Sequence, residues 1–96
     1  MNNNELICYA KFFILQLEYK KSMSNNETKV KIDTIIGDMN NDVIPDISRI
    51  KSKRYIIEYG EIIQDFATEY GINIPSFVNM EWKPIYRNMI INDILN

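Results

Sequence analysis

The stretch Ile62–Met80, which reads IIQDFATEYGINIPSFVNM, contains the strongest local signal in this chain of 96 residues. Apolar residues recur at helical spacing before Gly71, which stands where a left-handed residue commonly ends a helix. Asn73 is a favourable N-cap, and Pro75 suits the first turn of a second helix that carries Phe77. The stretch therefore predicts two helices joined by a tight glycine turn.

The first of these two helices extends far toward the N-terminus. Its apolar positions are Tyr55, Ile56, Tyr59, Ile62, Ile63, Phe66 and Tyr70. With Ile47 and Ile50 before them, these positions predict one long helix that begins near Pro45 and is kinked near Ser52 or Gly60. We expect the aromatic residues among them to lie in the core or at its edge.

The N-terminal third of the chain begins with a strongly apolar segment. Leu6, Tyr9, Phe13 and Leu17 follow one another at helical spacing. They predict a helix from Glu5 to Lys21 that is capped by the asparagines before it, and its wide apolar surface indicates a central position. The alternative is an α+β fold in which residues 12–19 and 29–33 pair as an N-terminal β-hairpin.

Two further helices complete the predicted bundle. The positions Ile32, Ile35, Ile36 and Met39 form a helical face, and turn-forming residues between Gly37 and Asn41 are expected to end that helix. Pro84 opens a last helix, whose apolar residues are Ile85, Met89, Ile90 and Ile94. We therefore predict a single domain, residues 1–96, with an all-α fold of about five helices.

Residue usage excludes the common kinds of catalytic site. The chain has no histidine and one cysteine, Cys8, so neither a Ser-His-Asp triad nor a histidine- or thiolate-ligated zinc site can form. Neither GxGxxG nor GxxxxGK[ST] occurs, and the three glycines lie far apart. We predict a protein that is not an enzyme and that carries no cofactor and no metal.

Composition also bears on location and on the kind of partner. A single thiol suits the reducing cytoplasm, where we expect the protein to act. The longest apolar run, residues 6–17, is too short to cross a bilayer, so no membrane association is predicted. The net charge of −2 argues against a general nucleic-acid binder, whose affinity depends on a basic face.

Acidic and aromatic residues supply the candidate protein-binding site. Like charges recur on one side of the predicted long helix at Glu58, Glu61, Asp65 and Glu69, where they form either a solvated face or an acidic ridge for a basic partner. Trp82 and Tyr86 are candidate exposed anchors, because these residue types dominate interface hot spots. We predict a small protein-binding module, such as an inhibitor or immunity-type protein acting on a larger enzyme or nucleoprotein.

The opening stretch also resembles the helix-turn-helix family of DNA-binding motifs, and the matching positions are Phe66, Ala67, Gly71, Ile72, Phe77 and Met80. The resemblance implies a helix-turn-helix-like C-terminal half and, as an alternative function, a DNA-binding transcriptional regulator. In that family the second helix reads the major groove, which assigns base contacts to Ser76, Asn79 and Lys83. Pro75 departs from the common pattern, and no arginine or lysine precedes Lys83 in the second helix.

If the protein is a DNA-binding regulator, a separate group of cations would contact the DNA phosphates. The basic cluster consists of Arg49, Lys51, Lys53 and Arg54. Its other interpretation is a solvated helix start, although cations near a helix N-terminus are unfavourable to the helix dipole. An uncovered apolar helix face would favour a symmetric homodimer, and a dimer suits paired DNA half-sites.

Overall fold

The computed structural model describes the backbone of residues 1–95 and the side chains of residues 1–91. Its α-helices are α1 (Asn3–Ser22), α2 (Asn26–Asp38), α3 (Ile44–Ser48), α4 (Lys53–Glu69) and α5 (Trp82–Leu95). A π-helical turn, Met39–Val43, joins α2 to α3, and a 3-10 turn, Phe77–Asn79, precedes α5. These residues contain no β-strand, so the all-α bundle is confirmed and the hairpin alternative is wrong. The predicted role of Ile94 lies outside the described side chains.

Helix α1 is central, as predicted. The side chain of Asn2 caps it by accepting a hydrogen bond of 2.9 Å from the backbone N–H of Glu5. The helix contacts α2, α3, α4 and α5. Its buried residues are therefore spread over most of its circumference, and they are Leu6, Tyr9, Ala10, Phe12, Phe13, Ile14 and Leu17.

Helix α2 ends at Asp38, inside the predicted range from Gly37 to Asn41, so that prediction is confirmed, but no open turn follows it. The chain stays helical through a wide turn in which the backbone N–H of Ile44 bonds to the carbonyl of Met39, the i→i−5 spacing of a π-helix. Met39 and Ile47 are both buried in the core. Burial of these two side chains outweighs the local preference of Gly37 and the asparagines for a turn.

The long helix predicted from Pro45 to Tyr70 is two helices, α3 and α4, separated by residues 49–52. The Nδ2 group of Asn3 donates hydrogen bonds to the carbonyls of Ile47 and Ile50, at 2.8 Å and 2.6 Å. These bonds tie the backbone carbonyls at the end of α3 to the first turn of α1. The expected kink near Ser52 is thus a full break, held in place by the first turn of α1.

The glycine turn after α4 is confirmed. Gly71 has a φ of 71°, in the left-handed region that favours glycine. The N–H of Ile72 donates to the carbonyl of Ala67 at 2.9 Å, and the N–H of Gly71 donates to that of Thr68 at 3.0 Å. This pair of bonds is the Schellman motif, which closes the C-terminus of α4.

The predicted second helix of the helix-turn-helix is absent. Residues 72–76 have no regular secondary structure, and one 3-10 turn follows before α5. Ile74 and Phe77 are both buried, and the hydroxyl of Tyr9 donates a hydrogen bond of 2.7 Å to the carbonyl of Pro75. Core packing and the missing donor of Pro75 therefore outweigh the local helix signal.

Candidate functional site

Helix α4 carries apolar side chains on two neighbouring faces. Its buried face consists of Ile56, Gly60, Ile63 and Ala67. Beside it runs the apolar row, which consists of Tyr55 (61% exposed), the half-buried Tyr59, Ile62 (58% exposed) and Phe66 (40% exposed). Spacings of four, three and four residues place the row on one line along the helix, as in the seam of a coiled coil.

A cavity of 180 Å³ lies between the apolar row and the segment formed by α2 and the π-helical turn. On the α4 side its lining is Tyr59, Ile62, Ile63 and Phe66, and on the other side it is Ile35, Asp38, Met39 and Val43. Phe13 of α1 completes the lining, and its ring meets that of Phe66 edge to face at a centroid distance of 6.4 Å. The cavity wall is thus almost entirely apolar and is fixed by the central helix.

A second and more open cavity continues toward the N-terminal end of α4. Its lining is Arg49, Ile50, Lys51, Ser52, Tyr55, Glu58, Tyr59 and Ile62. Tyr59 and Ile62 line both cavities, so the two cavities adjoin along the apolar row. We call these two adjoining cavities the α4 groove.

Carboxylates lie along the outer side of the α4 groove. The acidic ridge consists of Glu58, Glu61, Asp65 and Glu69, all of them exposed. At 3.6 residues per turn these residues fall on the side of the apolar row that faces away from the core. Arg54 donates from Nε to Oε1 of Glu58 at 3.0 Å, which neutralises the N-terminal end of the ridge only.

The opposite wall of the α4 groove also carries a carboxylate. Asp38, the last residue of α2, is exposed and lines the 180 Å³ cavity. Acidic groups therefore stand on both sides of an apolar depression. Burial raises the pKa of the Tyr59 hydroxyl between them, and the nearby carboxylate of Asp46 raises it further.

The basic cluster lies at one end of the α4 groove. Its four side chains are exposed, and Arg49 and Lys51 line the more open cavity. Arg49 pairs with Asp46 at 3.4 Å. The groove is therefore basic beside the start of α4 and acidic along the rest of the helix. This order opposes the helix dipole, which favours anions at the N-terminus and cations at the C-terminus.

The residues assigned to base contacts do not share a helix. Ser76 precedes the 3-10 turn and is half-buried, whereas Asn79 ends that turn and is exposed. Lys83 lies in α5 and pairs with Glu5 of α1, and this hydrogen bond lowers the pKa of the Glu5 carboxyl. The segment therefore presents no second helix that a DNA groove would receive.

Trp82 is a core residue, so its assignment as an exposed anchor is wrong. It is 1% exposed, its ring lies 5.2 Å from that of Tyr9, and its Nε1–H donates to the carbonyl of Phe77 at 3.1 Å. Tyr86 is half-buried one turn further along α5, where burial raises the pKa of its hydroxyl. Neither residue lies in the α4 groove.

Sequence reasoning recognised the acidic ridge but missed the apolar row beside it, which it placed in or beside the core. The signal that could have revealed the row was the width of the apolar surface of α4. Its apolar positions occupy two adjacent faces, and a helix packed on one side buries only one of them. The ridge and the row together make the site.

Among the described side chains, no three His, Cys, Asp or Glu residues are grouped closely enough to hold a metal ion. No helix of the described part has the length and apolar character that a membrane span requires. No family model, curated protein or solved structure matches this chain.

Proposed function

We propose that this chain is a non-enzymatic protein-binding module whose α4 groove receives an amphipathic helix of another protein. The observation that carries the proposal is the apolar row: three large side chains, Tyr55, Ile62 and Phe66, are exposed along one line of α4, and the last two line a preformed apolar cavity. Scattered exposed apolar residues are normal in proteins, whereas a contiguous patch marks an interaction surface.

The shape of the site favours a helical ligand. Helix-in-groove recognition uses apolar anchors at spacings of three and four residues, and the apolar row has this spacing. The cavity beside Ile62 and Phe66 offers space for an inserted side chain from such a ligand. Tyrosine and phenylalanine supply large contact areas with few rotatable bonds, which favours binding energy at a low entropic cost.

In the cell, such a module would act by holding a helix of its partner. An inhibitor or immunity-type role follows if that helix is needed by a larger enzyme or nucleoprotein. The unpaired Cys8 favours a reducing compartment, and we propose that the protein acts in the cytoplasm.

Site-specific photo-crosslinking in the host cell tests this proposal. A photoreactive phenylalanine at position 62 is expected to crosslink one protein, and mass spectrometry is expected to map the adduct to a helical segment with apolar residues three and four apart. The matched control is the same probe at Val30, which is 66% exposed on α2 and does not line the groove. Equal adducts at both positions, or an adduct on a non-helical segment, would contradict the proposal.

A further inference from the structure

The charges around the α4 groove restrict which helix fits into it; this inference rests on the proposed function. Asp38 stands on one wall, and Glu61, Asp65 and Glu69 stand on the other. Among the described side chains, these four carboxylates form no ion pair. A helix lying between the walls is therefore exposed to negative charge on both of its flanks.

The other end of the groove carries the opposite charge. Arg49 and Lys51 line the more open cavity, next to Tyr55. A ligand with cations along its whole length would meet repulsion at this end, whereas one with cations over half of its length would not. The groove thus specifies an order of charges along its ligand as well as their sign.

A second copy of this chain fits that order poorly. If the apolar rows of two copies pair antiparallel, with Tyr55 opposite Phe66 and Tyr59 opposite Ile62, Glu58 of one copy comes close to Asp65 of the other. If they pair parallel about a two-fold axis, the ridge of each copy lies on the side where the α2 wall of the other copy carries Asp38. Both arrangements juxtapose like charges, which disfavours association.

We infer that the occupant of the α4 groove is an amphipathic helix of a different protein with lysine or arginine on both flanks of its apolar seam. These cations lie over the half of the groove between Asp38 and the acidic ridge. Acidic or neutral residues lie over the half beside Arg49 and Lys51. The apolar row supplies the contact area, and the charges select the ligand and its register.

Two stapled synthetic helices of equal length test the charge rule on the full chain. Both carry the same apolar seam, and their flanks over two heptads are lysine in one peptide and glutamate in the other. Fluorescence anisotropy is expected to show at least about tenfold tighter binding of the lysine peptide at low salt, since several exposed ion pairs combine. The advantage is expected to shrink as salt screens these pairs.

Charge-reversal variants of the protein distinguish the effect of charges at the groove from the effect of the net charge on peptide binding. In the variant E61K/D65K/E69K the preference for the lysine peptide is expected to disappear or reverse. The matched control E18K/E27K/E81K changes the net charge by the same amount at exposed positions outside the groove, and it is expected to keep most of the preference.

Three results would overturn the inference. Equal affinity for the two peptides would remove the charge rule and leave the helix-in-groove proposal standing. Binding of neither peptide would overturn the rule as well, while photo-crosslinking at position 62 still tests the proposed function independently. A dimer in sedimentation equilibrium that dissociates in the variant Ile62→Gln would show that a second copy occupies the groove.

Discussion

Gly60 lies directly beneath the ring of Phe77: a Cβ atom at position 60 would come within 2.7 Å of Cγ and 2.8 Å of Cβ of that phenylalanine. Real Cβ atoms do not approach other atoms so closely, and Phe77 is fully buried and cannot move aside. Glycine is therefore required here for close packing of α4 against the 3-10 turn.

We expect Gly60→Ala to destabilise the protein by up to about 2 kcal/mol. Overpacking costs about 1 to 3 kcal/mol, and the better helix propensity of alanine offsets about 1 kcal/mol of it. The control is Gly37→Ala in α2, where an added Cβ meets nothing within 4 Å, so stability is expected to rise. Urea denaturation of the two variants measures both effects, and a stabilised Gly60→Ala variant would contradict the close contact.

Alanine substitutions at two neighbouring isoleucines of α4 are expected to affect different properties: one affects binding and the other stability. Ile62 is 58% exposed in the groove, and Ile63 is 3% exposed in the core. Ile62→Ala is expected to change the free energy of unfolding by no more than about 0.5 kcal/mol and to weaken binding of the lysine peptide strongly. Ile63→Ala is expected to cost about 2 to 5 kcal/mol. Similar losses of stability in the two variants would show that the apolar row is covered within the monomer.

Fluorescence reports the burial of Trp82 without any mutation, since it is the chain's only tryptophan. We expect emission at short wavelength in the native state and a shift to longer wavelength in urea. Iodide, which does not enter a packed core, is expected to quench the native protein far less than the unfolded one. Strong quenching of the native protein by iodide would show that Trp82 is exposed and would support its role as an anchor.

The ion pair between Glu5 and Lys83 makes the free energy of unfolding depend on pH. The hydrogen bond from Lys83 lowers the pKa of Glu5 below its ordinary value of 4.5. A depressed carboxyl pKa contributes stability that is present above pH 4.5 and is lost as the pH falls through the lower folded-state value. Urea midpoints between pH 6 and pH 3 are expected to fall less steeply for Lys83→Met than for the wild type, and identical slopes would contradict the pair.

Sequence reasoning succeeded where one local signal agrees with the packing. Helix α1 combines an asparagine cap with a wide apolar surface, and Gly71 combines a required left-handed φ with the next buried residue. It failed where tertiary contacts override local preference. Hydrogen bonds from Asn3 hold a break at residues 49–52 in the expected long helix, and burial of Ile74 and Phe77 removes the second helix.

The candidate site was only half predictable for a similar reason. Charge is visible in a sequence, so the acidic ridge could be recognised. Which of two adjacent apolar faces of α4 is covered depends on where α1 and α2 pack, and no local pattern contains that information. The exposed state of Tyr55, Ile62 and Phe66 therefore had to come from the structure.

The hydrogen bond from Tyr9 to the carbonyl of Pro75 joins residues 66 positions apart and bears on how the chain folds during translation. At ribosomal rates of roughly 5 to 20 residues per second, α1 waits about 3 to 13 s for this contact. During that interval its apolar circumference lacks the cover that Phe77 and Trp82 later supply. We therefore expect the apolar surface of α1 to stay partly exposed on the nascent chain until synthesis passes Trp82.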